Sequence, residues 1–284
     1  MLNLYSISGK NINPRKSLRD CEKFSVYYHD IFDYPLTFAD LIKWNSGKDL
    51  PKIQKKVEIV SKNGYFTLSG KEGLIYKRVL RERISAKKLE IARKASKILS
   101  FIPSVKFVGV TGSLAMSNSS EESDIDLLII TKNGRLWTSR LFAYLLISLS
   151  GIQTRKPFDR NQKDKLCLNM WLDESDLVWR SPRNVYTAHE IGQILPLINK
   201  NGIHEKFLEK NKWILKYWPN SVKIQNSKVK SKNQVFRQGI TETLTFWFQK
   251  KHMKSKVTRE VVTKTRAIFH PNDWGEVVLL RLSS

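Results

Sequence analysis

The chain has 284 residues, 41% hydrophobic and 27% charged, enough apolar content for a sizeable core, which excludes wholesale disorder and a collagen-like structure. Fifty Lys and Arg against 26 Asp and Glu leave a net charge of +24, which fits either a polyanionic partner or substrate, nucleic acid or a nucleoside triphosphate, or a surface that is simply basic. The two cysteines, Cys21 and Cys167, lie far apart and form no CxxC pair. They supply neither a disulfide framework nor a four-ligand zinc site, and a reducing, cytoplasmic setting is expected.

Residues 1–17 are polar and read as a loose arm with no apolar leader segment. Residues 18–76 read as a winged-helix-like domain. Phe24, Tyr27, Tyr28 and Ile31 recur at helical spacing until Pro35. Thr37 is placed to cap a second helix that stops at Gly47, and Pro51 opens a third that ends at Gly64. Tyr65–Ser69 and Leu74–Tyr76 then read as two short strands. The third helix either enters a major groove or serves only as a packing module. Residues 77–102 read as a connector helix with a stripe of Leu80, Ile84, Ile91, Ala95, Ile98 and Ile102 and a Lys/Arg-rich solvated face.

The texture changes at 103–185. Lys106–Thr111, Asp124–Thr131 and Leu166–Leu172 are strand-like runs, with a helix over about Leu136–Ser150 between the second and third. The longest apolar run, Leu141–Leu149, is far shorter than the roughly 20 residues that span a bilayer, so a buried core helix and no membrane partner are expected. Residues 186–284 read as a helical, basic C-terminal domain. Thr187 and Glu190 form a capping box, helices follow near 204–217 and 236–268, and Pro271 breaks the last. Trp213, Tyr217 and Trp218 are expected in the core. Residues 221–266 hold twelve Lys/Arg against two Glu, interleaved with Phe236, Phe246, Trp247 and Phe248. Those aromatics are expected to pack inward, with the charges either in solvent or on an RNA backbone. The fold class is α+β, a mixed-sheet core flanked by the two smaller domains; oligomeric state is left open.

One constellation carries chemistry. Gly112–Ser113 closes an apolar strand, ten residues intervene, and Asp124–Ile125–Asp126 opens another. Side chains alternate along a strand, so Asp124 and Asp126 share one side while Ile125 enters the core. Two such carboxylates make an oxygen cage suited to magnesium, and a pair of ions can clamp an in-line phosphoryl or nucleotidyl transfer. The Gly-Ser turn lets a phosphate approach its amides. His189–Glu190 is not a zinc-protease motif, because position 193 is Gln, and Ser113 lacks GxSxG flanks. Glu121 and Glu122 read as a solvated loop.

The run FVGVTGSLAMSNSSEESDIDLLIIT resembles the polymerase-beta-like nucleotidyltransferase superfamily, and the order of segments is similar to that of uncharacterised prokaryotic nucleotidyltransferase-domain proteins. The resemblance implies transfer of a nucleoside monophosphate from a triphosphate to a hydroxyl on RNA, DNA, protein or a small molecule. It further implies that Gly112 and Ser113 hold the triphosphate and that Asp124 and Asp126 bind two Mg2+ ions with it. The family's third carboxylate, on the next strand, falls at Asn169, whose amide can coordinate but cannot take a proton; Asp164, Asp173 and Glu190 are candidates to replace it. The alternative is a non-enzymatic nucleic-acid-binding protein with a degenerate nucleotidyltransferase core.

Overall fold

The computed structural model describes residues 18–47, 50, 58–156, 159–224, 239–253, 261–269 and 274–283. The arm over 1–17, the first half of the expected third helix (51–57), Phe236 and Pro271 lie outside the described residues.

Helix α1 (Asp20–Asp30) begins where Glu22 reaches back to the Arg19 amide, at 2.8 Å. After β1 (Leu36–Thr37), the Thr37 hydroxyl accepts from the Asp40 amide at 3.1 Å and starts α2 (Phe38–Lys43), as its sequence position predicts. Strands β2 (Ile59–Lys62) and β3 (Tyr65–Leu68) form a hairpin, and β1 pairs with β3 to give a sheet ordered β1-β3-β2. Residues 59–62 are thus extended where a helix was expected. Asn63 and Gly64 both have positive φ, 52° and 79°, and such a two-residue turn folds the β-branched Ile59–Val60 run back on β3. Leu74–Tyr76, expected as a strand, is the first turn of α3 (Leu74–Leu99).

The long α3 is present, but its buried line is Arg78, Ser85, Lys88, Ala92, Ala95 and Leu99, whereas Leu80 is exposed. The expected stripe holds in the second half, where Ala95 and Ile102 are buried and Ile91 and Ile98 pack against the core, and fails at Leu80. Arg78 is buried because Pro35 O and Glu82 accept its protons, each at 2.7 Å, and Tyr34 lies under its guanidinium.

The main sheet is mixed and has six strands among the described residues, in the spatial order 195–199, 105–110, 125–131, 166–173, 266–268 and 261–262. Strand β4 (Val105–Val110) runs antiparallel to β5 (Ile125–Thr131), and β6 (Leu166–Asp173) is parallel to β5, joined through helix α5 (Leu136–Leu149). A one-turn helix, α4 (Gly112–Ala115), links β4 toward β5.

The segment expected to be helical contributes α6 (Val185–Gly192), α7 (Ile203–Lys210), a 3-10 turn (Lys212–Lys216), α8 (Ile240–Met253) and α9 (Trp274–Ser283). It also contributes strands. β7 (Leu195–Asn199) pairs with β4, and β8 (Val261–Val262) and β9 (Arg266–Ile268) extend the sheet beyond β6. The single helix expected over 236–268 is therefore corrected to α8 followed by two strands. Pro196 is accommodated because β7 is an edge strand. Asn184, not Thr187, caps α6: its side chain accepts from the Thr187 amide at 2.8 Å.

Both faces of the sheet are covered. Phe107, Leu128, Ile130 and Leu172 pack with Tyr28 of α1, Ala188 and Ile191 of α6 and Phe207 of α7. Val110, Ile125, Leu127 and Ile129 pack with Ala95 of α3, Trp137 and Ile147 of α5 and Phe246 of α8. Alternation along β5 thus sends Ile125 into the α3/α5/α8 layer and Asp126 to the α6 side.

Candidate active site

The site forms where β4 ends and β5 begins. The Thr111 amide donates to Asp126 O at 3.0 Å, which draws the two strand ends together. Gly112 then takes φ +62°, and a Cβ there would stand 2.9 Å from Asp126 Oδ2. The residue has to be glycine both for its backbone and for the space the carboxylate occupies. Ser113 is exposed, with its hydroxyl 3.3 Å from that of Ser119.

The loop between Ser113 and Asp124 is anchored from α3. Lys88, 1% exposed, donates to Glu121 O at 2.9 Å, Ser123 O at 2.8 Å and Asp164 Oδ1 at 2.7 Å. Ser85 Oγ accepts from the Ser119 amide at 3.0 Å. Glu121 and Glu122 are exposed, as expected of a solvated loop.

Asp124, Asp126 and Cys167 bring ligand-type atoms within 4.8 Å of one another. Cys167 joins because β6 lies parallel to β5 with Cys167 opposite Asp126. One strand pair later Leu128 faces Met170, so β6 carries an extra residue in between. Asn169 sits at this bulge. Its Nδ2 donates to Asp126 Oδ1 at 3.0 Å, while its Oδ1 is buried with no partner. Arg155, on the loop after α5, donates to Asp124 Oδ2 at 2.7 Å and lies 3.9 Å from Cys167 Sγ.

Burial and the charge of Asp124 push Asp126 up to about 7. Burial and both aspartates push the Cys167 thiol up as well, which favours the neutral SH while no metal is bound. Glu190, on α6, is pushed up to about 8 by burial and then by the charge of Asp126. Gln193 fixes its place, donating to Glu190 Oε1 at 2.7 Å and to Gly112 O at 3.3 Å.

The other two acidic candidates go elsewhere. Asp164 is held by Lys88. Asp173 lies at the far end of β6, opposite Thr131, and accepts from the Gly134 amide at 2.7 Å. Arg155 and Cys167 were missed from sequence: the β5–β6 register brings Cys167 to the aspartates, and the pairing of Thr154 and Arg155 with Leu166 brings Arg155. The expected inward packing of aromatics holds for Trp218 and Phe246, which are buried, and fails for Trp247 and Phe248, which are exposed.

An orphaned buried amide oxygen, two carboxylates and a glycine pressed against one of them form an oxygen-rich cradle whose chemistry suits a hard divalent cation. No curated protein matches the chain. Residues 92–235, just over half of the chain, match the family profile described as a nucleotidyltransferase domain. That span contains the Gly-Ser turn, both aspartates, Asn169 and Glu190, and the chain belongs to the nucleotidyltransferase domain family.

Proposed function

We propose that the protein is a magnesium-dependent nucleotidyltransferase that moves a nucleoside monophosphate from a triphosphate to a hydroxyl acceptor. The observation that supports this reading is the closeness of the Gly112 turn to Asp126, beside Asp124. Asp124, Asp126 and the Asn169 amide oxygen would hold the magnesium, which when bound neutralises triphosphate charge and stabilises the charge that builds at the α-phosphate.

The chain's own groups do the rest. The exposed turn at Gly112–Ser113 receives the phosphates. The acceptor oxygen attacks the α-phosphorus, the bond to the bridging oxygen breaks and pyrophosphate leaves. Asn169 cannot take the acceptor proton. Glu190, steadied by Gln193, is the carboxylate left to receive it, and it does so only in its ionised form, the minor one below about pH 8. Arg155 neutralises Asp124 and keeps the two carboxylates together.

The Asn169 and Arg155 positions also favour a second reading, a degenerate core in a protein that only binds nucleic acid through its basic surface. The two separate in one experiment. Each of ATP, GTP, CTP and UTP is incubated with Mg2+ and the protein, and pyrophosphate release and label transfer are measured. The enzyme reading expects release that disappears in Asp124→Ala and Asp126→Ala. Release unchanged in both variants removes these residues from the site. No release, together with salt-sensitive retention of duplex DNA or RNA, selects the binder.

A further inference from the structure

Helices α5 and α8 expose an apolar surface that the nucleotide site does not use. On α5, Leu141, Leu145 and Leu149 repeat at one-turn spacing with Phe142 beside them, and all four are 41–75% exposed. On α8, Ile240, Leu244, Trp247 and Phe248 are 56–81% exposed. The inward faces of both helices are already satisfied, by Trp137, Ala143 and Ile147 on α5 and by Phe246 on α8. The outward residues are therefore an additional face and not a misplaced core.

The two helices are fastened to each other. Buried Glu242 of α8 accepts from the Trp137 amide at 2.6 Å and from the Thr138 amide at 3.0 Å, capping the start of α5. Gln249 donates to Trp137 O at 2.8 Å and accepts from Arg140 at 2.7 Å. The apolar surface is thus carried on a fixed pair of helices. Clustered exposure of this kind marks an interaction site.

Charge selects the occupant. Helix α5 has no Asp or Glu, and the one acid of α8 is the buried Glu242. Lys250 and Lys251 are exposed on the last turn of α8. Lys250 Nζ lies 5.3 Å from the Phe246 ring and 5.5 Å from the Trp247 ring, so its stem runs along aromatic surface and its ammonium stays wet. A second copy would press together two chains of +24 each, with no acid on the face to pair with the lysines. A nucleic acid backbone would meet aliphatic groups at the centre of the face. An apolar centre edged by lysine and tryptophan, without exposed acid, matches a bilayer interface rich in anionic headgroups. No helix among the described residues is long and apolar enough to cross a membrane, so contact would be at the surface.

We propose that the α5–α8 face docks the protein on membranes that carry anionic lipid. This revises the expectation of no membrane partner, which concerned spanning helices. Helix α6, which carries Glu190, packs on the other face of the sheet, and docking through α5 and α8 leaves that layer free. The inference does not rest on the nucleotide reading.

Flotation of the full chain tests it, with vesicles of phosphatidylcholine alone and of phosphatidylcholine and phosphatidylglycerol in equal parts. The protein is expected to float with the mixed vesicles and not with the neutral ones. Leu145→Glu and Phe248→Glu, at solvent-exposed positions and checked for unchanged melting, are each expected to lower partitioning about tenfold or more. Lys216→Gln makes the same one-unit charge change on the exposed 3-10 turn, away from this face, and is expected to leave partitioning within about twofold. Absence of flotation with the mixed vesicles overturns the proposal. So does flotation that Phe248→Glu leaves unchanged, which would be charge adsorption alone. A dimer in sedimentation velocity that Phe248→Glu dissociates overturns it in favour of a second copy.

Discussion

Gly112 and Asp126 stand so close that a Cβ on the glycine would lie 2.9 Å from the carboxylate oxygen. Gly112→Ala therefore displaces Asp126 and also strains a backbone at φ +62°. Strain of this kind costs about 1–3 kcal/mol. Gly151 is the comparison: its φ is +76°, but a Cβ there would meet nothing within 4 Å. Gly151→Ala is expected to lower the melting temperature with pyrophosphate release intact. Gly112→Ala is expected to reduce release by about a hundredfold or more, the order of a lost charge-stabilising group. Equal activity in the two variants would separate the glycine from the site.

Asn169 stands where a carboxylate would complete the cage, and it bonds Asp126 through its Nδ2. Asn169→Asp removes that donor and sets a like charge against Asp126. Without metal the variant is expected to be less stable by about 1–3 kcal/mol. With Mg2+ the order reverses, because a third carboxylate gives a hard cation another anionic oxygen. Thermal melts with and without MgCl2 check this. A variant that gains nothing from the metal would show that the orphaned Asn169 oxygen does not face a cation.

What could be read in the chain and what could not differ in range. The Gly-Ser turn and the aspartates were legible because a strand end, a turn and a two-residue alternation are local. Cys167 and the pose of Asn169 depend on the parallel register of β6 on β5 and on a bulge within it, and Arg155 on the pairing of its segment with Leu166, which no periodicity announces. Ile59–Lys62 reads as helix from its apolar spacing, yet the Asn63–Gly64 turn decides for a hairpin. In α3 the burial of Arg78 and Lys88 was not legible, because their partners lie far along the chain. Strands β8 and β9 are short, and only pairing with β6 makes them strands.

The site's carboxyls make metal-free stability fall with rising pH. Asp126 is raised from 3.8 to about 7 and Glu190 from 4.5 to about 8, each chiefly by burial. The folded state holds these protons more tightly than the unfolded chain. Their contribution is fully present below about pH 4 and is lost as pH rises through 7–8, a change on the order of 4–5 kcal/mol for each group. Melting temperatures from pH 6.5 to 9, above the range in which the buried histidines act, are expected to decline, and Glu190→Gln to flatten the decline. A flat wild-type curve would mean that neither group is held protonated.

A buried histidine pair sets the opposite limb. His29 and His189 place their Nε2 atoms 3.0 Å apart. Ser25 O accepts from His29 Nδ1 at 2.8 Å, so His29 Nε2 is the acceptor and His189 donates to it. Burial lowers His29 from 6.5 to about 4 and lowers His189 well below its ordinary value. The folded state here binds protons less tightly, so stability present above about pH 6.5 is lost as pH falls toward 4, on the order of 3 kcal/mol for His29 alone. His29→Gln is expected to remove much of this acid sensitivity in urea titrations from pH 7 to 4. Unchanged sensitivity would place it in other groups.

Lys88 links stability to the site. Its ammonium is buried on α3 and makes three bonds, to Glu121 O, Ser123 O and Asp164 Oδ1. Ser123 immediately precedes Asp124, so the lysine fixes the approach to β5 from a helix on the opposite side of the loop. Lys88→Met keeps most of the stem's packing and removes every donor. Two carbonyls then lose a charged partner, and a loss of about 2–4 kcal/mol is expected in urea denaturation. Because the loop is released and neither aspartate is altered, triphosphate KM should rise more than kcat falls, whereas Asp126→Ala should abolish turnover. If Lys88→Met lowers stability with KM unchanged, the anchor serves the fold alone. If it changes neither, the buried ammonium does not hold the loop in solution.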